Sequence, residues 1–194
     1  MNIQYNPDGH RYTIDDRPVP SVTQILKQLE SFDGWPQDAA LRGTHIHTII
    51  EWYENGTLDM SSVDPAYQGY LNAWIVFRQE NPLSLKYDEL RHEVFVASKY
   101  GYAGRVDLLS PDWIIDIKTG EQTKTHAHQL EAYNRAAVET LGGKRRQTAC
   151  LYLSADGSYR IVVLNKKRED AALVWNQFLA ALTVHNFKHG GKIS

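Results

Sequence analysis

The residues with the most chemical promise lie between Gly104 and Lys118. In the run WIIDIK, 113–118, strand alternation puts Trp113, Ile115 and Ile117 on one face and Ile114, Asp116 and Lys118 on the other. An acid and a lysine thus stand side by side. The preceding run, YAGRVDLL, carries Asp107 on the same face as Arg105 and Leu109. If the two runs form a hairpin about Pro111-Asp112, a two-residue loop sets Asp107 opposite Asp116, with Cβ atoms about 5 Å apart. Carboxylates that close repel one another unless a cation lies between them. Oxygen ligands of this kind suit Mg²⁺ or Mn²⁺ rather than a soft metal. A neighbouring ammonium can orient a nucleophile and stabilise negative charge as it develops. Proline fits poorly in the primed turns that hairpins prefer, so the register stays open at this stage.

These residues need elements to hold them. Residues 3–19 read as a small hairpin, with Tyr5 and Tyr12 flanking the turn Asn6-Pro7-Asp8-Gly9 and Asp15-Asp16 supplying another turn. Pro20-Ser21-Val22-Thr23 opens a short helix with Ser21 as N-cap. Longer helices are expected from about Pro36 to Tyr53, ended by Asn55-Gly56, and from about Pro65 to Gln79, stopped by Asn81-Pro82. Three strands follow, HEVFVA, YAGRVDLL and WIIDIK, with turns at Lys99–Gly101 and Ser110–Asp112. A helix from about Thr125 to Leu141 is closed by Gly142-Gly143. Strands QTACLYLS and YRIVVLN, turned by Ala155-Asp156-Gly157, and a helix from about Lys167 to Phe187 complete the chain. That order implies one α/β domain over 1–194, a sandwich around a central mixed sheet.

Five segments in this order resemble the PD-(D/E)xK nuclease superfamily in its RecB-like branch. They are Pro20-Ser21-Val22-Thr23, Arg42-Gly43-Thr44-His45-Ile46-His47, Ala103-Gly104-Arg105-Val106-Asp107, Asp116-Ile117-Lys118-Thr119, and Gln129 with Tyr133. The first is typical of the phage and mitochondrial genome-maintenance exonucleases of that branch. Val106 stands where the superfamily has its proline, and Pro111-Asp112 matches the letters but lies in a turn too close to Asp116. The resemblance implies a restriction-endonuclease-like fold and hydrolysis of DNA phosphodiester bonds, assisted by Mg²⁺ or Mn²⁺. It implies metal ligands at His47, Asp107, Asp116 and the backbone carbonyl of Ile117, with Lys118 near the attacking water. Gln129 and Tyr133, four apart on one helix face, would look into the site. Ser21, Thr23, Arg42 and Thr119 are candidate DNA contacts. Ser21 could instead serve only as a cap. Glu51, one turn after His47, is a candidate to orient that histidine or to reach the metal, and Glu93 is a further candidate acid. His45, two residues from His47, should point elsewhere.

The implied partner is DNA with a free or single-stranded end, in phage or prophage replication or recombination and alongside other proteins of those processes. A site-specific endonuclease of the same fold would want base-reading elements, and none is identifiable. A silent nuclease fold acting as a binding module could have lost any of the acids, the lysine or the histidine, yet all are present.

Composition sets the remaining bounds. One cysteine in 194 residues excludes a disulfide framework, a cysteine zinc site or an iron–sulfur cluster built within this chain, and Cys150 reads as core. There is no GxxxxGK[ST] motor motif. No apolar stretch reaches the roughly 20 residues that span a bilayer, and the opening MNIQYNPDGHRY lacks the pattern of a secretory signal, so a cytoplasmic protein without a membrane partner is expected. The net charge of -2 requires any grip on nucleic acid to be local. The runs Lys144-Arg145-Arg146 and Lys166-Lys167-Arg168 could track a strand or simply be solvated turns.

Overall fold

The computed structural model describes residues 1–30 and 37–190. The N-terminal strands β1 (Ile3–Asn6), β2 (Arg11–Ile14) and β3 (Arg17–Val19) form an antiparallel sheet rather than a single hairpin. Tyr5 pairs with Tyr12 across the first turn. Asp15 and Asp16 both take left-handed backbone (φ 48° and 63°), which a two-residue turn with the right-handed twist demands. Ser21 then caps α1 (Val22–Leu26): its hydroxyl accepts from Gln24 N at 3.1 Å and the Gln24 side chain accepts from Ser21 N at 2.9 Å.

Helices α2 (Gln37–Glu54) and α3 (Pro65–Glu80) follow, separated by a 3₁₀ turn at Met60–Ser62. Pro36, expected to open α2, lies outside the described residues. At α3, Asp64 caps and Pro65 fills the first turn, where its missing N–H has no helical partner to lose. The strands β4 (Arg91–Ser98), β5 (Tyr102–Leu109), β6 (Trp113–Lys118), β7 (Gln147–Leu153) and β8 (Tyr159–Leu164) make the central sheet in the order of their numbers. β6 and β7 are parallel, joined over the sheet by α4 (Thr125–Leu141), and the other pairs are antiparallel. The last element is α5 (Arg168–His189).

The sheet is mixed because a parallel pair needs a crossover long enough for a helix, and the 28-odd residues between the β6 and β7 runs supply one, at roughly twice the dozen or so such a connection requires. α1, α4 and α5 cover one face with Val22, Ile25, Leu130, Ala136, Trp175 and Phe178. α2 and α3 cover the other with Ile46, Ile50, Leu71, Trp74 and Phe77 against Ile115, Ile117 and Leu151. Cys150 is buried, as its apolar surroundings suggested. This is the α/β sandwich that the element order implied. Among the described residues no helix is long and apolar enough to cross a membrane.

Two local features shape the centre of the sheet. The β5–β6 pairing runs Leu109↔Ile114 and Leu108↔Ile115. One step further along this register stand Asp107 and Asp116, but there the Ile117 N–H donates to Asp107 Oδ2 at 2.6 Å instead of to a strand carbonyl. The strands therefore part at the two acids. On β4, Glu93 takes left-handed backbone (φ 52°) and interrupts the ladder between His92↔Leu108 and Val94↔Val106, the step where it faces Asp107. A non-glycine residue held there stores strain, which marks sites more often than it marks plain scaffold.

Gly104 explains its place in the AGRVD segment. A Cβ there would stand 2.5 Å from Tyr133 Cε1 and 3.2 Å from Cδ1. The bare backbone lets the Tyr133 ring lie against β5 and so fixes where α4 sits. Gly104→Ala should destabilise the fold by about 1–3 kcal/mol in urea unfolding through overpacking. Gly120→Ala, with nothing within 4 Å of its added carbon, is the control and should be close to neutral. Equal stability of the two variants would refute this account of α4 docking.

Candidate active site

The site forms where β5 parts from β6, between α2 and α4. Three ligating groups meet there: one atom each from His47, Glu93 and Asp107 all lie within 4.8 Å of one another. His47 Nε2 is 3.2 Å from the Ile117 carbonyl oxygen and 3.8 Å from Asp107 Oδ2, while its Nδ1 is 3.5 Å from Glu93 Oε1. α2 brings His47 to this point because Ile46, Ile49 and Ile50 bury its neighbouring faces against the sheet.

Asp116 occupies a second position. Its Oδ2 is 2.5 Å from Lys118 Nζ, the two side chains sharing one face of β6. That oxygen is buried but has no partner with hydrogen-bond geometry. Lys118 Nζ also donates to Gln129 Oε1 at 2.9 Å, and Gln129 Nε2 donates to Tyr133 Oη at 3.2 Å. Asp116, Lys118, Gln129 and Tyr133 thus form one polar chain from β6 to α4, in which α4 fixes the ammonium of Lys118.

Electrostatics follow from burial beside like charges. Burial, with Asp116 and Glu93 adding repulsion, pushes the Asp107 carboxyl far above the usual carboxylate range, to about 7, although His47 and Lys118 pull it down. For His47, burial is the largest single effect and lowers its affinity for a proton. Asp107, Glu93 and Asp116 together outweigh burial and raise the imidazole to about 9. Protonated His47 therefore donates from Nε2 to the Ile117 carbonyl and points Nδ1 at the Glu93 carboxylate. Burial also opposes the charge on Lys118, yet Asp116 and Asp107 hold its ammonium above its ordinary value.

The donor set fits a hard or borderline divalent cation. Asp107 Oδ2, the Ile117 carbonyl and Nε2 of His47 converge, with Glu93 and Asp116 adjacent. Oxygen ligands with one imidazole suit Mn²⁺ well and Mg²⁺ acceptably.

A cavity of about 660 Å³ opens beside this centre, lined by His47, Ile117, Lys118 and Gln129 together with Thr23, Lys27, Arg42, Thr119 and His126. Arg42 donates to the Thr119 carbonyl at 3.3 Å, and its buried Nε has no hydrogen-bond partner among the described residues. Thr23 is exposed on the cavity wall.

Several expectations change here. Ser21 is 2% exposed and its hydroxyl serves the α1 cap and Thr23, so the capping reading holds and a DNA contact does not suit it. Glu51 is exposed and is not among the groups on His47; Glu93 takes the orienting position instead. Asp116 stands near Asp107 and His47 and pairs with Lys118. His45 points away, as its spacing required, with Nδ1 2.8 Å from Tyr67 Oη. The basic run at 144–146 is tied into the structure: Lys144 to Asp112 at 3.2 Å, Arg145 to the fully buried Glu131 at 2.7 Å, and Arg146 Nε to the Ser110 carbonyl at 2.9 Å. His126 was not singled out in the sequence. It lines the cavity, its Nδ1 lies 2.8 Å from Tyr152 Oη, and burial followed by the Lys118 charge pushes it down to about 4, so it is neutral. Its position three residues before Gln129, on the same helix face, was the available signal.

No protein-family model and no curated protein sequence matches the chain. Among solved structures, it is similar to a protein of Eubacterium rectale described as a "putative exonuclease", at 11% identity and a TM-score of 0.57, with 88% of this chain and 82% of the other covered. At that identity the likeness is one of fold.

Metal binding at this centre requires neutral His47 and ionised Asp107, both of which hold their protons more tightly than usual in the metal-free protein. Mn²⁺ should therefore displace protons, and its affinity should rise with pH between about 6 and about 9. Calorimetry in buffers of different ionisation enthalpy reads the proton release directly. An affinity flat across that range would remove His47 and Asp107 from the ligand set.

Proposed function

We propose that this chain is a divalent-metal-dependent deoxyribonuclease of the RecB-like branch of the PD-(D/E)xK superfamily, hydrolysing phosphodiester bonds from DNA ends. The observation that carries the reading is the meeting of His47, Asp107 and the Ile117 carbonyl beside a lysine held by Gln129. Five ordered motifs and the fold shared with the Eubacterium rectale protein support it.

His47, Asp107 and the Ile117 carbonyl would hold Mg²⁺ or Mn²⁺, with Glu93 and Asp116 as further acids. Such an ion, when bound, polarises the scissile phosphate and lowers the pKa of a bound water. Lys118, fixed between Asp116 and Gln129, positions that water and stabilises the negative charge that grows on the phosphate oxygens. The water would lose a proton to solvent as its oxygen bonds to phosphorus, the opposite P–O ester bond would break, and the departing sugar oxygen would take up a proton from solvent to leave as a hydroxyl. Arg42, Thr119 and Thr23 line the cavity where flanking phosphates would lie. End-directed action is proposed because the motifs include no base-reading element. A setting in phage or prophage replication or recombination, with DNA and the proteins of those processes as partners, follows from the motif resemblance.

Digestion of end-labelled linear DNA and of covalently closed single-stranded circles, with Mg²⁺, Mn²⁺ or EDTA, tests the reading. Linear DNA should be trimmed with metal, circles spared, and EDTA should stop the reaction. Full cleavage in EDTA would sink the metal mechanism, and rapid cutting of circles would replace the exonuclease with an endonuclease.

The variants divide the roles. Lys118→Ala should lower the rate about 10²–10³-fold while DNA and metal still bind, because its charge acts on the transition state. Gln129→Ala should lower the rate about 10–100-fold by releasing Lys118. His47→Ala should weaken metal binding, with partial rescue by added Mn²⁺. His45→Ala, whose ring is bonded to Tyr67 on the outer side of α2, should keep its cleavage. The reverse ranking of the two histidines would show that the motif has been misplaced.

A further inference from the structure

An exposed aromatic corner borders the acidic centre. Phe95 of β4 is 38% exposed, although it stands in the middle of a strand of the central sheet. The Tyr5 ring lies 5.3 Å from it at 35°, and His10 meets Tyr5 edge-on at 5.4 Å, with its Nδ1 3.0 Å from the Tyr5 hydroxyl. Arg105 is the ladder partner of Phe95, and its guanidinium carbon is 5.9 Å from the Tyr5 ring centre. The same side chain reaches Glu93 at 2.6 Å, and Glu93 reaches His47. The aromatic corner is therefore two side chains away from the proposed metal ligands.

Phe95 also packs on the small sheet, 6.3 Å from the buried Tyr12 ring as well as against Tyr5, but the anchoring there does not rest on it alone. The buried residues joining the small sheet to β4 and β5 are Tyr12, Ala97 and Ala103, with Tyr12 only 2% exposed. An exposed ring framed by a second ring and a cation is suited to a flat π-face carrying some polarity. An unpaired nucleobase has such a face, and aromatic side chains with arginine are the usual means of holding one without reading its sequence. A paired base inside a duplex has both faces covered, and a patch of three rings is far below the roughly 1,000 Å² that a stable protein interface buries.

We propose that Phe95 and Tyr5, with His10 and Arg105 beside them, form a stacking site for one unpaired base of the DNA strand whose phosphate lies at the acidic centre. The inference rests on the nuclease reading and adds how the enzyme holds its substrate: through a base face next to the cleaved bond, which selects a frayed or single-stranded end. Arg105 serves two ends here, bracing Glu93 and presenting its charge to the base.

The test uses single-stranded oligonucleotides carrying 2-aminopurine, or an abasic residue, at each of the first few positions from the end. Binding is measured with Ca²⁺ in place of Mg²⁺, and cleavage of the same strands is scored separately with Mn²⁺. At one position the 2-aminopurine fluorescence should be quenched on binding. Phe95→Leu should weaken binding about ten-fold there, Phe95→Trp should restore it, and Phe95→Leu should cause no further loss on the strand that is abasic at that position. Equal losses on intact and abasic strands, or no loss with Phe95→Leu, would overturn the stacking site. Cleavage by the wild-type protein alongside either result leaves the nuclease reading standing, whereas wild-type protein that binds the strands but never cuts them with Mn²⁺ refutes that reading instead.

Discussion

Glu93, Asp107 and Asp116 bring three carboxylates to the line where the central sheet comes apart, and their repulsion has to be met by cations. The protein meets it with side chains: His47 against Glu93 and Asp107, Lys118 against Asp116, Arg105 against Glu93. Burial, with the neighbouring acids adding to it, raises Asp107, and the three acids outweigh burial to raise His47, so both hold protons above their ordinary range. A scaffold with no use for the charges would gain stability by removing them. Their presence at a strained residue and a broken ladder is consistent with the proposal that the centre holds a cation.

The rest of the fold can be understood as positioning for that line. α2 approaches from the side of Ile115 and Ile117 and delivers His47; α4 approaches from the opposite side and delivers Gln129 to Lys118. Gly104 sets the distance on the second side, because the Tyr133 ring rests on its backbone. The parallel pairing of β6 with β7 serves the same end, since it requires the crossover that contains α4. Two helices on opposite faces can both reach one set of strand residues only where the sheet is interrupted, and the interruption falls at Asp107.

Much of this was legible in the sequence because it is governed by local rules. Alternation gave the faces of WIIDIK, and the two-residue turn at Pro111-Asp112 gave the register that aligns Asp107 with Asp116, even though proline is an unusual occupant of such a turn. Pro65 and Asn81 marked the ends of α3 through cap chemistry. What escaped depends on three-dimensional position. Helical spacing says that Glu51 shares a face with His47, but not that one turn further along that face is open to solvent. Nor does a β-strand pattern show that Glu93 will take left-handed backbone and replace Glu51 beside the imidazole. The acid that turns to lysine and the acid that remains at the centre look alike in sequence. They are told apart only when Ile117 donates its N–H to Asp107 and Lys118 claims Asp116.

The same structure accounts for how a chain of net charge -2 could engage a polyanion. Many of its cations are committed internally: Arg145 and Arg135 to the buried Glu131, Arg146 to a carbonyl in the β5–β6 turn, Lys144 to Asp112 and Arg105 to Glu93. Lys27 and Arg42 on the cavity wall are opposed there by Glu30 and Glu121. A broad electrostatic track of the kind that binds duplex DNA through its backbone is thus missing from the described surface around the site. Attraction must come from short-range features: divalent charge at the carboxylates, single donors such as Arg42, and π-faces that attract bases whatever the net field. Divalent charge would be the largest of these, because it would turn a cluster of three carboxylates into a place where a phosphate is received. Under the proposed nuclease function the acidic cluster would be the binding determinant as well as the chemical one.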